Sequence, residues 1–102
     1  MSLPVVLRSE AEVEFEEAFD LYEAIHPGLG AAFATRVREC FSRIAVSPKL
    51  YAVVLDDIRQ ALVRKFPYFV CYRERSADVE VIAVMHTSRD PGAWHGRLST
   101  DN

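Results

Sequence analysis

Residues 68–86 read Tyr68-Phe69-Val70-Cys71-Tyr72-Arg73-Glu74-Arg75-Ser76-Ala77-Asp78-Val79-Glu80-Val81-Ile82-Ala83-Val84-Met85-His86. Two runs of β-branched and aromatic residues, Tyr68–Glu74 and Val79–His86, flank the polar turn Arg75-Ser76-Ala77-Asp78, the pattern of a β-hairpin. Val79–Met85 is apolar at nearly every position, which suits a central strand buried on both faces. Outward from this hairpin, Ile58–Phe66 and Tyr51–Leu55 are further strand-like runs, separated by a turn at Asp56-Asp57.

Before Pro48 the period changes. Leu29, Phe33, Val37, Cys40, Phe41 and Ile44 recur at helical spacing up to Ser47-Pro48. Phe15, Ala18, Phe19, Tyr22 and Ile25 do the same, with Glu14, Glu16, Glu17, Asp20 and Glu23 on the other face, so a helix is expected at about residues 10–26. His26-Pro27-Gly28-Leu29-Gly30 interrupts the two periods, because proline cannot continue a helix and glycine accepts the exit conformation. A turn this short predicts an antiparallel helical hairpin over residues 10–47. Ser9-Glu10-Ala11-Glu12 fits a capping box, in which Ser9 and Glu12 satisfy each other's backbone N–H groups. Val5–Leu7 is an opening strand. At the other end, Asp90-Pro91-Gly92 begins a short helix or turn carrying Trp94. The expected class is α+β: an N-terminal strand and an α-helical hairpin packed on a mainly antiparallel sheet of three to four strands.

The chain has 102 residues, half of them hydrophobic, enough for one domain at 1–102 with its own core. So short a chain buries a smaller share of its surface than a larger one and gains from a partner. No apolar run approaches the ~20 residues that span a bilayer, and Met-Ser-Leu-Pro does not open a secretory signal, so a cytoplasmic location is expected. Cys40 and Cys71 are far apart and form no C-x-x-C, so they read as buried, reduced thiols. The net charge is −3, distributed as −5 over residues 1–57 and +2 over residues 58–102. That asymmetry is far weaker than the basic stripe of a dedicated nucleic-acid binder. No cofactor and no metal are expected: His86 and His95 lack zinc spacing, and Pro27-Gly28-Leu29-Gly30 follows no strand and is no phosphate loop.

Several pieces stand in a distinctive order: Tyr22-Glu23, Pro27-Gly28-Leu29-Gly30 and Phe33; then Ile44, Pro48 and Tyr51; then Ile58-Arg59 and Arg64-Lys65-Phe66-Pro67-Tyr68-Phe69-Val70-Cys71-Tyr72-Arg73; then Val81-Ile82-Ala83-Val84-Met85-His86, Arg89-Asp90-Pro91 and Trp94. Through nearly its whole length the chain resembles the RelE/ParE superfamily of toxins from type II toxin–antitoxin systems, of the plasmid stabilisation type. The resemblance implies a toxin neutralised by a cognate antitoxin that wraps it with an otherwise disordered segment. Relatives of the ParE type poison DNA gyrase, and those of the RelE type cut mRNA in the ribosome.

The RelE type implies cations: two lysines alternating on the strand before a Tyr-x-x-x-Tyr stretch, and an arginine after its first tyrosine. Aligned on Tyr68 and Tyr72, those positions hold Gln60, Leu62 and Phe69 in this chain, and the RelE terminal tyrosine falls at Trp94. Relatives like YoeB place a histidine after the last strand, where His86 stands. Arg64, His86 and Arg89 are therefore the candidate catalytic set, beside plainer readings for each. Arg64 is a solvated strand residue, His86 a strand-end cap, and Arg89 half of a local ion pair with Asp90. Trp94 reads first as a packing anchor. The missing cations favour a ParE-like protein that acts by binding, with Arg89, Trp94 and Arg97 as target contacts. The alternatives are a ribosome-dependent mRNA endoribonuclease and a degenerate, non-toxic member. The expected partners are the cognate antitoxin, DNA gyrase or the ribosome as target, and a second copy in a homo-oligomer, with no membrane.

Overall fold

The computed structural model describes residues 2–100, with side chains described for residues 2–98. The elements run β1 (Val5–Leu7), α1 (Ser9–Ile25), α2 (Leu29–Val46), β2 (Val53–Leu55), β3 (Ile58–Leu62), β4 (Tyr68–Glu74), β5 (Val79–His86) and a terminal run of 3₁₀ turns over Pro91–Thr100. The strands form one sheet in the order β1-β5-β4-β3-β2. The expected sheet had three to four strands; there are five, because both short runs, Val5–Leu7 and Val53–Leu55, join at opposite edges. β2, β3, β4 and β5 pair antiparallel in sequence order, whereas β1 lies parallel to β5 with Val5 beside Val79.

The helical hairpin covers one face of this sheet. Ala11, Ala18, Phe33, Val37, Cys40 and Ile44 pack there against Ala61, Val63, Val70, Tyr72, Val81 and Val84. Edge-to-face rings of Phe33, Phe66, Tyr68 and Tyr22 fill the end nearest the interhelical turn. The second face is smaller: Ile58, Phe69, Cys71, Ile82, Ala83 and Met85 are covered by Trp94 and Leu98 of the terminal turns. β4 and β5 are thus buried on both faces, as their unbroken apolar runs require.

The start of α1 departs from the capping-box expectation. Ser9 lies inside the helix and Arg8 is the N-cap, without a side-chain cap bond. The cause is tertiary: the Arg8 N–H donates to Val81 O on β5 at 3.0 Å, and Arg8 O accepts from Glu12 N–H at 2.9 Å. The chain therefore turns from strand into helix at Arg8, and the Ser9 hydroxyl donates to Glu10 instead. β3 also stops short of the expected Phe66. Lys65 takes a positive φ of 70°, and the Val63 N–H donates to Tyr68 O to close the β3–β4 hairpin.

Between the helices the turn is held from α1. Glu23 accepts from the N–H groups of Gly28 and Gly30 at 2.8 and 2.9 Å. Gly28 has φ 91°, which favours glycine. Gly30 is required for closeness: a Cβ there would lie 2.6 Å from Phe19 O.

Candidate functional site

Strand register decides which candidate side chains share a face. Leu62 pairs with Phe69, and Phe69 with Met85; Gln60 pairs with Cys71, and Cys71 with Ala83. These two rows lie on the sheet face away from the helices, beside Trp94. The positions where the resemblance would place RelE-type cations are therefore on one surface, but Phe69 is buried and Leu62 is a 64% exposed hydrophobe. At these three positions the surface offers a phosphate no charge.

His86 lies on the other side of the sheet. It pairs with Tyr68, and the two rings meet edge to face at 5.3 Å. With Arg89, Glu17 and Leu21 they line a shallow groove between α1 and the end of β5. Burial pushes the Tyr68 phenol above its ordinary pKa, with Tyr22 adding to the effect, so Tyr68 is neutral near pH 7. The His86 Nδ1 accepts from the Ser88 backbone N–H at 3.0 Å and lies 2.7 Å from the Ser88 hydroxyl. A backbone N–H can only donate, so Nδ1 carries the lone pair and a neutral ring carries its proton on Nε2. In that state neither nitrogen has a lone pair free to take a proton from a substrate, which general-base chemistry needs.

Arg64 is exposed in the connection between β3 and β4 and does not line this groove. His86 and Arg89 thus come together and Arg64 stands apart. The expected Arg89–Asp90 ion pair is not formed among the described residues; Asp90 accepts from the Gly92 N–H at 2.9 Å, an Asx turn that opens the terminal segment. Of the three surface candidates only Arg89 is exposed. Trp94, at 2% exposure, is buried against the second sheet face.

Arg97 is committed to the fold. Its guanidinium holds Glu14 through two contacts of 3.0 and 2.7 Å and also donates to Ile82 O at 2.9 Å. Glu14 in turn accepts from the Val84 N–H at 3.1 Å. Helical spacing alone puts Glu14 on the polar face of α1, among other acids that mark no role for it. Its partner lies 83 residues away, and no local pattern marks the pair.

The sequence model of the family described as "ParE toxin of type II toxin-antitoxin system, parDE" matches residues 5–91. Toxin ParE2 from two strains of Mycobacterium tuberculosis is 27% identical over 89 residues, 86% of this chain and 85% of that protein. Among solved structures, a chain of the chromosomal ParDE TA system from P. aeruginosa superimposes with a TM-score of 0.73 at 11% identity, covering 83% of this chain and 96% of that one. A mutant of E. coli toxin RelE in the free state gives a TM-score of 0.66 at 16% identity, with 86% of each chain covered. At these identities the two structural likenesses establish the shared fold.

Proposed function

The chain belongs to the ParE toxin family of type II toxin–antitoxin systems, and from that premise we propose that it acts by binding a target such as DNA gyrase, without chemistry of its own. The observation that carries this reading is the content of the sheet face away from the helices. Gln60, Leu62 and Phe69 stand in its cross-strand rows, where cleavage of an RNA backbone would need cations for the developing phosphorane. Each missing donor of that kind costs about 3 kcal/mol of transition-state stabilisation. A lone histidine, worth roughly 100- to 10,000-fold, does not replace several of them. His86 is moreover on the opposite side of the sheet, with Nδ1 engaged by Ser88.

In this reading Arg89 is the cation offered to the target. The cognate antitoxin neutralises the toxin by covering α1, where Val13, Leu21 and Ile25 are 51%, 57% and 64% exposed. These residues follow one side of the helix with the exposed Glu17 between them, so an antitoxin segment meets an apolar stripe interrupted by one carboxylate.

The test is induced expression of wild type, His86→Ala and Arg89→Ala in bacteria, restricted to variants that stay folded. Trapped, cleaved DNA–gyrase complexes that persist in His86→Ala and fall in Arg89→Ala are the expected result. Ribosome-bound mRNA cleavage that vanishes with His86→Ala would overturn the reading in favour of a nuclease.

A further inference from the structure

We propose that the groove between α1 and the end of β5 receives a carboxylate side chain of a partner polypeptide, held by Arg89, His86 and Tyr68. The proposal rests on the reading in which a partner segment covers the exposed side of α1, and it adds what that segment must carry. The groove has a volume of about 180 Å³, room for a side chain and too little for a cofactor. Its floor is apolar, made of Ala18 and Leu21 from α1 and Val84 and Met85 from β5.

The polar groups around this floor are donors that the fold leaves over. Tyr68 is 8% exposed, and nothing among the described residues accepts a hydrogen bond from its phenol, whose oxygen is not fully enclosed. A hydroxyl on so buried a side chain ordinarily has a partner, and the groove that Tyr68 lines is where one can reach it. Burial holds this phenol above its ordinary pKa, so it offers an O–H at neutral pH. Beside it, the His86 ring has Nδ1 engaged by Ser88, and the remaining donor of the neutral ring is Nε2–H. Arg89 is exposed, and its guanidinium has no ion pair among the described residues.

Two donors and a guanidinium beside an apolar floor select an anion on an apolar stem. A carboxylate side chain meets this need, because a guanidinium binds it through two parallel hydrogen bonds. The acids of the groove set its orientation. Glu14 is already held by Arg97 and the Val84 N–H. Glu17 is exposed on the α1 rim without an ion pair among the described residues. It turns a ligand carboxylate toward the β5 end and accepts from a peptide N–H, which favours a polypeptide over a bare anion. Leu21 joins the groove to Val13 and Ile25 of the α1 stripe, so one segment fills both. Seated there, its carboxylate also covers Arg89, the cation offered to the target.

The probe is the capped dipeptide N-acetyl-leucyl-glutamate amide, titrated into the full chain and followed by NMR at the His86 imidazole and the Tyr68 ring. Saturable shifts at both residues with millimolar affinity are expected. The glutamine analogue and acetate should each bind about tenfold more weakly. Tyr68→Phe keeps the ring that packs on Phe33 and removes only the hydroxyl, so the melting temperature should hold while affinity falls about threefold or more. Arg89→Gln should weaken binding about tenfold or more. Equal affinity for the two peptides overturns the proposal, as does Tyr68→Phe without effect on binding. Acetate as tight as the peptide, or no saturable shift at all, overturns it too. These titrations use no antitoxin. A cognate antitoxin indifferent to Leu21→Glu, with the peptide results unchanged, would remove the α1 reading and leave the carboxylate site standing.

Discussion

Glu14 of α1 and Arg97 of the terminal turns form a two-pronged ion pair that closes the part of β5 that β1 is too short to cover. β1 pairs only with Val79, Glu80 and Val81. Beyond them the register of β5 against β4 slips by one residue at Ile82. Ile82 O and Val84 N–H are met by Arg97 and Glu14 instead of by a strand. The side chains of a helix and a turn thus complete a sheet edge, and the same pair ties the terminal segment, with Trp94, onto the second core.

Breaking this pair from either side leaves a carboxylate or guanidinium that is only 15–16% exposed without its partner. Loss of a partner from a fully buried pair costs about 3–5 kcal/mol, and partial solvation here reduces the expected figure to about 2 kcal/mol. Glu14→Ala and Arg97→Ala are each expected to destabilise by that amount in urea unfolding. The double variant should lose clearly less than the sum, and strict additivity would show that the pair contributes nothing beyond its separate contacts.

The interhelical turn gives a pH signature. The Glu23 carboxyl lies below its ordinary pKa, chiefly because it accepts the Gly28 N–H and then the Gly30 N–H. A carboxyl whose folded pKa is depressed contributes stability above its unfolded pKa, and that contribution is lost as pH falls through the folded value. Glu23→Gln should therefore melt below wild type at neutral pH, with the gap closing below about pH 4. A gap that is independent of pH would assign the effect to shape and not to charge.

Gly30→Ala tests the close approach of the helices. The added methyl would meet the Phe19 carbonyl at 2.6 Å, a backbone atom that cannot swing aside. The expected loss is about 1–3 kcal/mol, measured by thermal or urea unfolding. A neutral result would mean that α1 and α2 separate without cost.

Burial pushes the Cys40 thiol up to about 11 and the Cys71 thiol up to about 12. The two belong to cores on opposite faces of the sheet. Neither is expected to react with a thiol reagent at pH 8 in the folded protein, and both should react at once in guanidinium. Rapid native-state labelling of either would contradict the packing described.

Antitoxin capture should depend on the α1 stripe. Leu21→Glu places a charge where an apolar side chain is 57% exposed, so folding should be little affected. Affinity for a cognate antitoxin should fall about tenfold or more in a binding titration. An unchanged affinity would move the antitoxin off α1.

Short-range chemistry alone specified the α+β class, the order of elements, the helical hairpin and the β4–β5 hairpin. Helical spacing, breakers such as Pro27 and Pro48, and β-branched runs are read within a few residues of themselves. The absence of cations at positions 60, 62 and 69 was equally legible, since it concerns residue type. The tertiary structure decided what depends on distant neighbours. It recruited Val5–Leu7 and Val53–Leu55 as opposite edges of the sheet, and it moved the N-cap of α1 to Arg8 through a bond to Val81. It also put His86 on the opposite face from Phe69, separated Arg64 from Arg89, and drew Arg97 from the surface into an ion pair with Glu14. A side chain's role is set by whichever groups the fold brings within about 3 Å of it, and sequence spacing carries no record of a partner 83 residues away.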